Sequence, residues 1–266
     1  MKLGDLKKMM TKVNKVYFED CMETLVAMGD DSVDITLTSP PYNMNLRVHS
    51  GKYTFRSKSE KDLSTKYLGG YNDDLPMDEY FEWQKKVISE CIRVSKKYVF
   101  YNIQFLTGNK VALMKLMGHF AENIKEIVIW DKINAEPAIG AGVLNSQFEF
   151  VLVLAKPAMA FNRSFEEFNF KRGTLSNVLK VKKNSKNEYS DFNGAVFPTQ
   201  LPIWIVKNFT QPTDVVYDPF MGTATTAEVC QRLGRGWVGS EINVEYKPLI
   251  DKRLSLIPPT ENKEYF

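Results

Sequence analysis

The stretch Thr38-Ser-Pro-Pro-Tyr42 places groups that could do chemistry at the end of a buried strand. It follows residues 33–37, whose apolar and β-branched composition is typical of a core strand. Two consecutive prolines cannot continue strand pairing, and they disfavour an immediate helix. The Ser39 hydroxyl and the Pro40 carbonyl are therefore left as acceptors for a ligand, and Tyr42 offers a stacking face. The pattern predicts a functional loop.

A second chemical motif spans residues 215–230, where a strand ends in Asp218 and a threonine-rich helix start follows. Gly222 and its small neighbours let the backbone approach a ligand, and the helix N-terminus directs N–H groups toward it. A carboxylate at this strand tip would repel a pyrophosphate but suits a cationic amino group. About twenty residues further on, Glu241 follows the next strand, where an acid can bind both ribose hydroxyls. A ribose plus an ammonium group describes S-adenosylmethionine better than NAD.

The helices and strands that must position these motifs can be predicted from the spacing of apolar residues along the sequence. Short β-rich runs alternate with segments of helical period, which is typical of a mainly parallel sheet covered by helices. The predicted strands are residues 15–19, 34–38, 98–102, 126–130, 148–155, 215–218 and 236–240. The predicted helices are residues 21–28, 77–94, 107–117, 202–209, 225–233 and 244–256. The clearest is 77–94, which has one apolar face.

Composition narrows the class of protein. The 266 residues carry a net charge of +3, so an anionic partner must be met by local clusters of charge. Cys21, Cys91 and Cys230 are far apart and have neither disulfide nor zinc spacing. Only two histidines are present, His49 and His119, which is few for a histidine-based metal site or a catalytic triad. We expect a soluble cytoplasmic protein without a metal or a membrane span.

Two basic segments are candidates for contact with nucleic acid. Residues 47–66 carry six Lys/Arg against two acids, and residues 156–186 carry eight against two. Each alone could be a solvated surface, but their positions beside the two motifs favour contact with phosphates. The basic side chains selected as substrate contacts are Arg47, Lys52, Arg56, Arg163, Lys171 and Arg172.

"TSPPYN" at 38–43 and "DPFMGTATT" at 218–226, in that order, resemble the β class of DNA amino-methyltransferases, which methylate exocyclic amines of bases. The resemblance covers roughly residues 13–256. It implies a Rossmann-like α/β fold with a mainly parallel seven-stranded sheet, one antiparallel strand and a circularly permuted motif order. It also implies a catalytic part at 13–157, a small target-recognition insert at 158–194 and a cofactor-binding part at 195–257. The class is compatible with a homodimer, and with a bacterial, archaeal or phage origin.

The resemblance assigns roles to individual residues. The catalytic group is Ser39, Pro40, Pro41 and Tyr42, and Trp130 joins the basic side chains at the target base. The residues implied for S-adenosylmethionine are Asp20, Cys21, Thr38, Thr199, Gln200, Asp218, Pro219, Phe220, Gly222, Thr223, Thr225 and Glu241. Outside the family, Asp20 is most simply a helix N-cap, Trp130 a core residue and Glu241 a solvated acid.

The catalytic motif has a physical rationale. The lone pair of an exocyclic amine is delocalised into the ring, so the nitrogen is a poor nucleophile. Acceptors at its two protons, here the Ser39 hydroxyl and the Pro40 carbonyl, would localise that lone pair. Stacking on Tyr42 is worth roughly 1–3 kcal/mol. The target base must leave the double helix to reach such a pocket.

Ser39 decides the expected base. Most adenine-modifying relatives have Asp at this position, whereas Ser is more often associated with N4-cytosine modification, so cytosine N4 is the prediction. Two further departures are Phe197, where His is frequent, and Ala224, where Gly is commoner. Adenine N6 is the nearest alternative. The others are an RNA or protein-glutamine methyltransferase, a catalytically silent DNA-binding module and, remotely, an NAD-dependent oxidoreductase.

Overall fold

An eight-stranded sheet forms the centre of the molecule. The computed structural model describes residues 12–43, 48–49, 52–53, 75–134, 142, 144–182 and 197–257. The strands are β1 (Lys15–Tyr17), β2 (Val33–Thr38), β3 (Val48–His49), β4 (Lys52–Tyr53), β5 (Ser95–Ile103), β6 (Ile124–Asp131), β7 (Phe148–Leu154), β8 (Val178–Lys180), β9 (Val215–Asp218) and β10 (Gly236–Ser240). The order across the main sheet is β1-β10-β9-β2-β5-β7-β6-β8, and β3 and β4 form a separate antiparallel pair.

The sheet confirms the expected fold class. Its neighbouring strands are parallel except where β7 pairs with β5 and β6, so β7 is the one antiparallel strand of the main sheet. All seven predicted strands are present. The eighth, β8, is a three-residue edge strand beside β6 that the sequence did not reveal, because its basic surroundings hide so short a run.

The first strand shows the permutation directly. β1 lies parallel to β10, with Lys15 opposite Val238 and Tyr17 opposite Ser240. Among the described residues, the first strand in the sequence is therefore the neighbour of the last strand in the sequence, as the predicted motif order requires.

Helices cover both faces of the sheet. They are α1 (Cys21–Ala27), α2 (Met77–Val94), α3 (Lys110–His119), α4 (Pro157–Ala160), α5 (Gln200–Phe209), α6 (Thr225–Arg232) and α7 (Lys247–Ser255), with a 3-10 turn at Val244–Tyr246. Alternate strand residues join different cores: Phe100 packs with residues of α5 to α7, whereas Tyr101 packs with α1 to α3. Because successive strand side chains point to opposite faces, the fold has three layers.

The starts of α2 and α3 can be compared with the predicted helix bounds. The bounds of α2 agree with the prediction, and its buried residues recur on one face at helical spacing. Helix α3 starts later than predicted because Asn109 organises a turn before it. The Asn109 Oδ1 accepts from the Leu106 amide at 2.9 Å, and its Nδ2 donates to the Gln104 carbonyl at 2.9 Å.

Candidate active site

The two chemical motifs meet at one edge of the sheet. The parallel strands β2 and β9 are hydrogen-bonded neighbours, so their carboxyl ends lie side by side. Thr38, the last residue of β2, donates from Oγ1 to Asp218 Oδ1 at 2.8 Å. β7 runs the other way, so its first residues lie at this same edge. Residues far apart in sequence are thus gathered around residues 38–43, which we call the catalytic loop.

The backbone of the catalytic loop is fixed by buried side chains. The Pro41 carbonyl accepts from Tyr80 Oη at 2.7 Å and from Gln84 Nε2 at 3.4 Å. The Tyr42 carbonyl accepts from Asn109 Nδ2 at 2.8 Å. Within the described part of the chain, no donor bonds the Pro40 carbonyl. Among the described residues, the predicted acceptor is therefore not bonded, while the carbonyls of Pro41 and Tyr42 are held.

Asn43 closes the catalytic loop in a left-handed conformation, with φ at 53°. Its Oδ1 accepts from the Leu75 amide at 2.7 Å, and its Nδ2 donates to the carbonyls of Leu75 and Gly108 at 3.0 and 3.2 Å. Asn tolerates this conformation better than most residues. The side chain therefore ties the loop to the start of α2 and to the turn before α3.

A polar cluster that sequence reasoning missed surrounds the catalytic side chains. The hydroxyls of Ser39 and Tyr42 lie 2.9 Å apart, and Tyr42 Oη donates to Glu149 Oε2 at 2.7 Å. Asn102 Nδ2 donates to Tyr42 Oη at 2.6 Å and to Glu149 Oε2 at 2.7 Å. Lys132 Nζ lies 2.8 Å from Glu149 Oε1, and its side chain is only 1% exposed. We call these five residues the Glu149 network.

The orientation of the Asn102 amide follows from its neighbours. Its Oδ1 is buried and has no hydrogen-bond partner among the residues that the structure describes. Turning the amide over would place that oxygen against the Glu149 carboxylate, where two acceptors repel each other. An unsatisfied buried carbonyl costs about 1–3 kcal/mol. The two hydrogen bonds that Asn102 Nδ2 donates therefore outweigh the cost of leaving Oδ1 without a donor.

Asp218 is the centre of the predicted cofactor side. Its buried carboxylate accepts from Thr38 Oγ1, from the Phe220 amide at 3.0 Å and from Thr226 Oγ1 at 2.6 Å. Burial raises the pKa of Asp218 to about 6, although these hydrogen bonds oppose the shift. A buried carboxylate with this cost of ionisation favours a ligand that brings a positive charge. Thr226 was not among the predicted residues.

Glu241 shapes the glycine-containing turn. Its Oε2 accepts from the Gly222 amide at 2.8 Å, and its Oε1 accepts from the Asn243 amide at 2.8 Å. The side chain is buried, and burial raises its pKa despite the two amides. Gly222 has φ at +53°, which requires glycine-like freedom. Glu241 is thus a buried acceptor and not the solvated acid that its sequence alone allowed.

The backbone at the start of α6 shows why glycine would be favoured at position 224. Ala224, the residue before α6, has φ at 63° and ψ at 36°, so it adopts the left-handed conformation in which glycine is favoured. Thr223 and Thr225 on either side are buried. Arg253 of α7 also anchors this turn, because its Nη1 donates to the Thr223 carbonyl at 2.9 Å.

Asp20 and Cys21 lie at the start of α1. Asp20 caps this helix, with Oδ1 accepting from the Met22 amide at 2.8 Å. Burial raises the pKa of the Cys21 thiol far above its ordinary value, so this cysteine has no thiolate character. The hydrogen bond to the Met22 amide thus confirms Asp20 as a helix cap. The predicted contact of Asp20 with an adenine stays a prediction.

The remaining predicted cofactor residues divide into two places. Pro219 and Phe220 follow Asp218, and the Phe220 ring packs edge-on against Trp83 of α2 at 5.7 Å. Thr199 and Gln200 lie at the start of α5. Thr199 lines a cavity of about 290 Å³ between α5 and α6, together with Ile203, Lys207, Glu228, Arg232 and Leu233.

The predicted substrate contacts are placed unevenly. Trp130 is buried at the end of β6 and donates from Nε1 to the Val181 carbonyl at 2.7 Å. Arg163, Lys171 and Arg172 are exposed. Arg47 and Arg56 lie outside the described residues, and for Lys52 only the backbone strand is described.

Residues 158–182, within the predicted recognition insert, pack against the main sheet. β8 joins its edge, and Phe165 and Phe170 contact the core on the α5 side. Across the ranges that the structure describes, no group of three or more His, Cys, Asp or Glu could hold a metal ion. In those same ranges no helix has the length and apolar character needed to cross a membrane.

Comparison with known families and sequences identifies relatives over most of the chain. Residues 33–252 match a family described as DNA methylase, the N6/N4 group. The type II methyltransferase M.BglII of Bacillus subtilis is 27% identical over 285 aligned residues, covering 94% of this chain and 71% of its own. The DNA adenine methyltransferase YhdJ of Escherichia coli is 26% identical, covering 89% of this chain and 81% of its own.

Solved structures share the fold. The cytosine-N4-specific PvuII DNA methyltransferase superposes with a TM-score of 0.68 at 17% identity, covering 96% of this chain and 89% of its own. M1.HpyAVI, solved as a complex with S-adenosylmethionine, superposes with a TM-score of 0.57 at 20% identity, covering 90% and 98%. The architecture around the two motifs is therefore one that occurs in methyltransferases.

Proposed function

The chain belongs to the N6/N4 family of DNA methylases, and on that premise we propose that it methylates cytosine N4 in a base flipped out of double-stranded DNA. It is a DNA methyltransferase by family. S-adenosylmethionine is its cofactor and supplies an activated methyl group on a sulfonium. The observation that carries the proposal is the hydrogen bond between Thr38 and Asp218, which joins the catalytic loop to the cofactor carboxylate.

The residues on the cofactor side fit S-adenosylmethionine. Asp218 is a buried carboxylate suited to the ammonium of the methionine part, and Glu241 is a buried acceptor suited to ribose hydroxyls. Gly222 and Ala224 both have left-handed backbones, which open the turn for close approach of a ligand. Asp20 then takes the adenine amine, and Thr199 and Gln200 take the methionine carboxylate.

The catalytic loop prepares the acceptor amine. Ser39 Oγ and the Pro40 carbonyl receive the two N–H groups and localise the nitrogen lone pair, while Tyr42 stacks on the base. Because the methyl group is already activated, no general base is required for transfer. Much of the acceleration comes from holding nitrogen and methyl in line. Trp130 and the predicted basic residues contribute the base pocket and the phosphate contacts.

The choice of cytosine rests on Ser39, and one relative favours adenine instead. YhdJ is an adenine methyltransferase at 26% identity, so adenine N6 is the second candidate. Ser39→Asp tests whether this side chain selects the base. A shift of product toward N6-methyladenine would make Ser39 a selector, whereas loss of both products would make it a geometric requirement.

The product itself decides between the two bases. Purified protein is incubated with a duplex library of varied sequence and S-adenosylmethionine carrying a labelled methyl group, and the DNA is digested to nucleosides. N4-methylcytosine is the expected product; N6-methyladenine as the sole product overturns the choice of base. RNA of matched sequence is the control for the RNA alternative. Failure to bind S-adenosylmethionine in calorimetry would favour a silent DNA-binding module.

The remaining assignments belong to the same proposal. Residues 158–194 act as the recognition insert between the catalytic part at 13–157 and the cofactor part at 195–257. An insert this short favours a short recognition sequence or the help of a second subunit, and light scattering tests for the homodimer. The reaction takes place where cellular DNA is present, in the cytoplasm of a bacterial, archaeal or phage-infected cell.

A further inference from the structure

The Glu149 network joins a buried ion pair to the predicted catalytic hydroxyl. Starting from Lys132, the contacts run to Glu149 at 2.8 Å, to Tyr42 at 2.7 Å and to Ser39 at 2.9 Å. Asn102 lies beside the middle of this path. Each hydroxyl has one proton and can donate it to only one neighbour at a time. The direction of hydrogen-bond donation along the path, which we call its polarity, can therefore be worked out.

A count of protons fixes that polarity. A carboxylate paired with a lysine accepts hydrogen bonds and donates none, so the single proton of Tyr42 Oη goes to Glu149. The two Nδ2 protons of Asn102 are used at Tyr42 and Glu149, at 2.6 and 2.7 Å, whereas Ser39 Oγ is 3.5 Å away. At the 2.9 Å contact between hydroxyls, Ser39 must therefore donate to Tyr42.

This direction has a chemical consequence at Ser39. A serine hydroxyl has one proton and two lone pairs, and its proton is committed to Tyr42. What Ser39 Oγ presents to a ligand is then acceptor capacity alone. An exocyclic amine has N–H groups to donate, so the hydroxyl is already turned to receive one of them.

Lys132 keeps the polarity from reversing. A neutral Glu149 could donate a proton to Tyr42, and Tyr42 could then donate to Ser39, which would free the Ser39 proton to point at the amine. The side chains of Lys132 and Glu149 are 1% and 8% exposed. Burying two charges is costly, and pairing them is the arrangement that retains the carboxylate in such a place.

We propose that Glu149 is a positioning residue which acts through Tyr42 to set the Ser39 hydroxyl as a hydrogen-bond acceptor for the target amine. This inference rests on the proposed methyl transfer. It gives Tyr42 a second role besides stacking, carried by its hydroxyl. It also assigns a function to Lys132, which does not contact the catalytic loop in any described bond but forms the buried ion pair with Glu149.

The test separates the hydroxyl of Tyr42 from its ring. Tyr42→Phe keeps the stacking face and the buried ion pair. It removes the hydroxyl that links Glu149 to Ser39 and that accepts from Asn102. We expect kcat to fall about tenfold, since one transition-state hydrogen bond is misdirected, while KM for DNA and the Kd of S-adenosylmethionine stay within about twofold. Tyr217→Phe is the matched control, because it removes another Tyr–Ser hydroxyl contact of 2.8 Å that is not part of the Glu149 network.

A cycle with Ser39 shows whether the effect passes through that residue. In a Ser39→Ala background, Tyr42→Phe should cost nothing further, because no hydroxyl is left to orient. The double variant Lys132→Met/Glu149→Leu removes the ion pair and the acceptor of the Tyr42 proton without leaving one charge buried alone, and should match Tyr42→Phe in kcat. A purely structural role would instead give equal losses in either Ser39 background.

Each outcome has a defined meaning. If the wild-type protein transfers no methyl group to any DNA, the proposed function fails and this inference fails with it. If the wild type is active but Tyr42→Phe retains its kcat, or loses as much in Ser39→Ala as in the wild type, only the inference is overturned. Circular dichroism and denaturant unfolding confirm that the variants compared are folded.

Discussion

The catalytic loop and the cofactor loop, residues 218–225, both follow neighbouring parallel strands, yet they are held in different ways. Most of the contacts that fix the cofactor loop come from its own residues, from the start of α6 and from the next strand, through Asp218, Thr226 and Glu241. Thr38 of β2 and Arg253 of α7 add further contacts. The catalytic loop is fixed by side chains from α2, β5, β7 and the turn before α3. The cofactor loop therefore relies more on residues near it in sequence, whereas the catalytic loop relies on side chains from distant parts of the chain.

Helix α2 is the element shared by the two loops. Tyr80 donates to the Pro41 carbonyl, its ring lies 6.0 Å from that of Trp83, and Trp83 packs against Phe220 at 5.7 Å. Packing of this kind fixes the position of the two loops relative to each other. The two loops therefore differ in which contacts hold the backbone of each, whereas they share the helix that sets the distance between them.

The largest expected effect comes from removing the anchor of the catalytic loop. Asn43→Ala loses three side-chain hydrogen bonds and places alanine in a left-handed conformation, so the free energy of unfolding should fall by about 3 kcal/mol. Denaturant unfolding measures it. Asn43→Gly should be about 1 kcal/mol less harmful, because glycine accepts the backbone. Equal losses in both would mean that the backbone conformation contributes nothing.

A reciprocal pair of variants tests whether the two loops have separate roles. Asp218→Asn should weaken binding of S-adenosylmethionine by roughly 10- to 100-fold, because it removes the charge opposite the ammonium. The unfolding free energy at pH 8 should not fall, since a carboxylate that is costly to ionise has become neutral. Tyr42→Ala should lower turnover and binding of the flipped base, and spare cofactor affinity. Calorimetry and single-turnover rates measure the two functions, and parallel losses in both variants would contradict the division.

The comparison also explains what could be predicted from the sequence. The strand ending in Asp218, the turn of small residues after it and the acid after the next strand could be predicted because their determinants are local. Their contacts with the cofactor stay a prediction. The Glu149 network could not be predicted, because Glu149 reaches Tyr42 only through the strand order and the reversed direction of β7. One signal was present, a single acid near the start of the otherwise apolar run "FEFVLVL".

Titration offers a smaller, graded test of the cofactor loop. Because burial raises the pKa of Asp218 to about 6, the affinity for S-adenosylmethionine should fall by up to about tenfold per pH unit below that value. For folding the sign is opposite. The folded-state pKa lies above the ordinary value of 3.8, so this group makes the free protein less stable as pH rises from about 4 to about 6. Asp218→Asn should remove both dependences, and a pH-independent affinity in the wild type would contradict the assignment.

The smallest effect is expected at Ala224, where the cofactor loop carries a backbone penalty of its own. With φ at 63°, the alanine Cβ crowds its own backbone, and Ala224→Gly relieves this at the expense of a more flexible unfolded chain. The balance should favour the glycine variant by about 0.5–1 kcal/mol in denaturant unfolding. Gly222→Ala is the matched control, since φ is +53° there and alanine should destabilise by a similar amount. If Ala224→Gly were destabilising instead, local backbone conformation would not be what shapes this loop, and packing against α6 and the contact with Arg253 would have to do so.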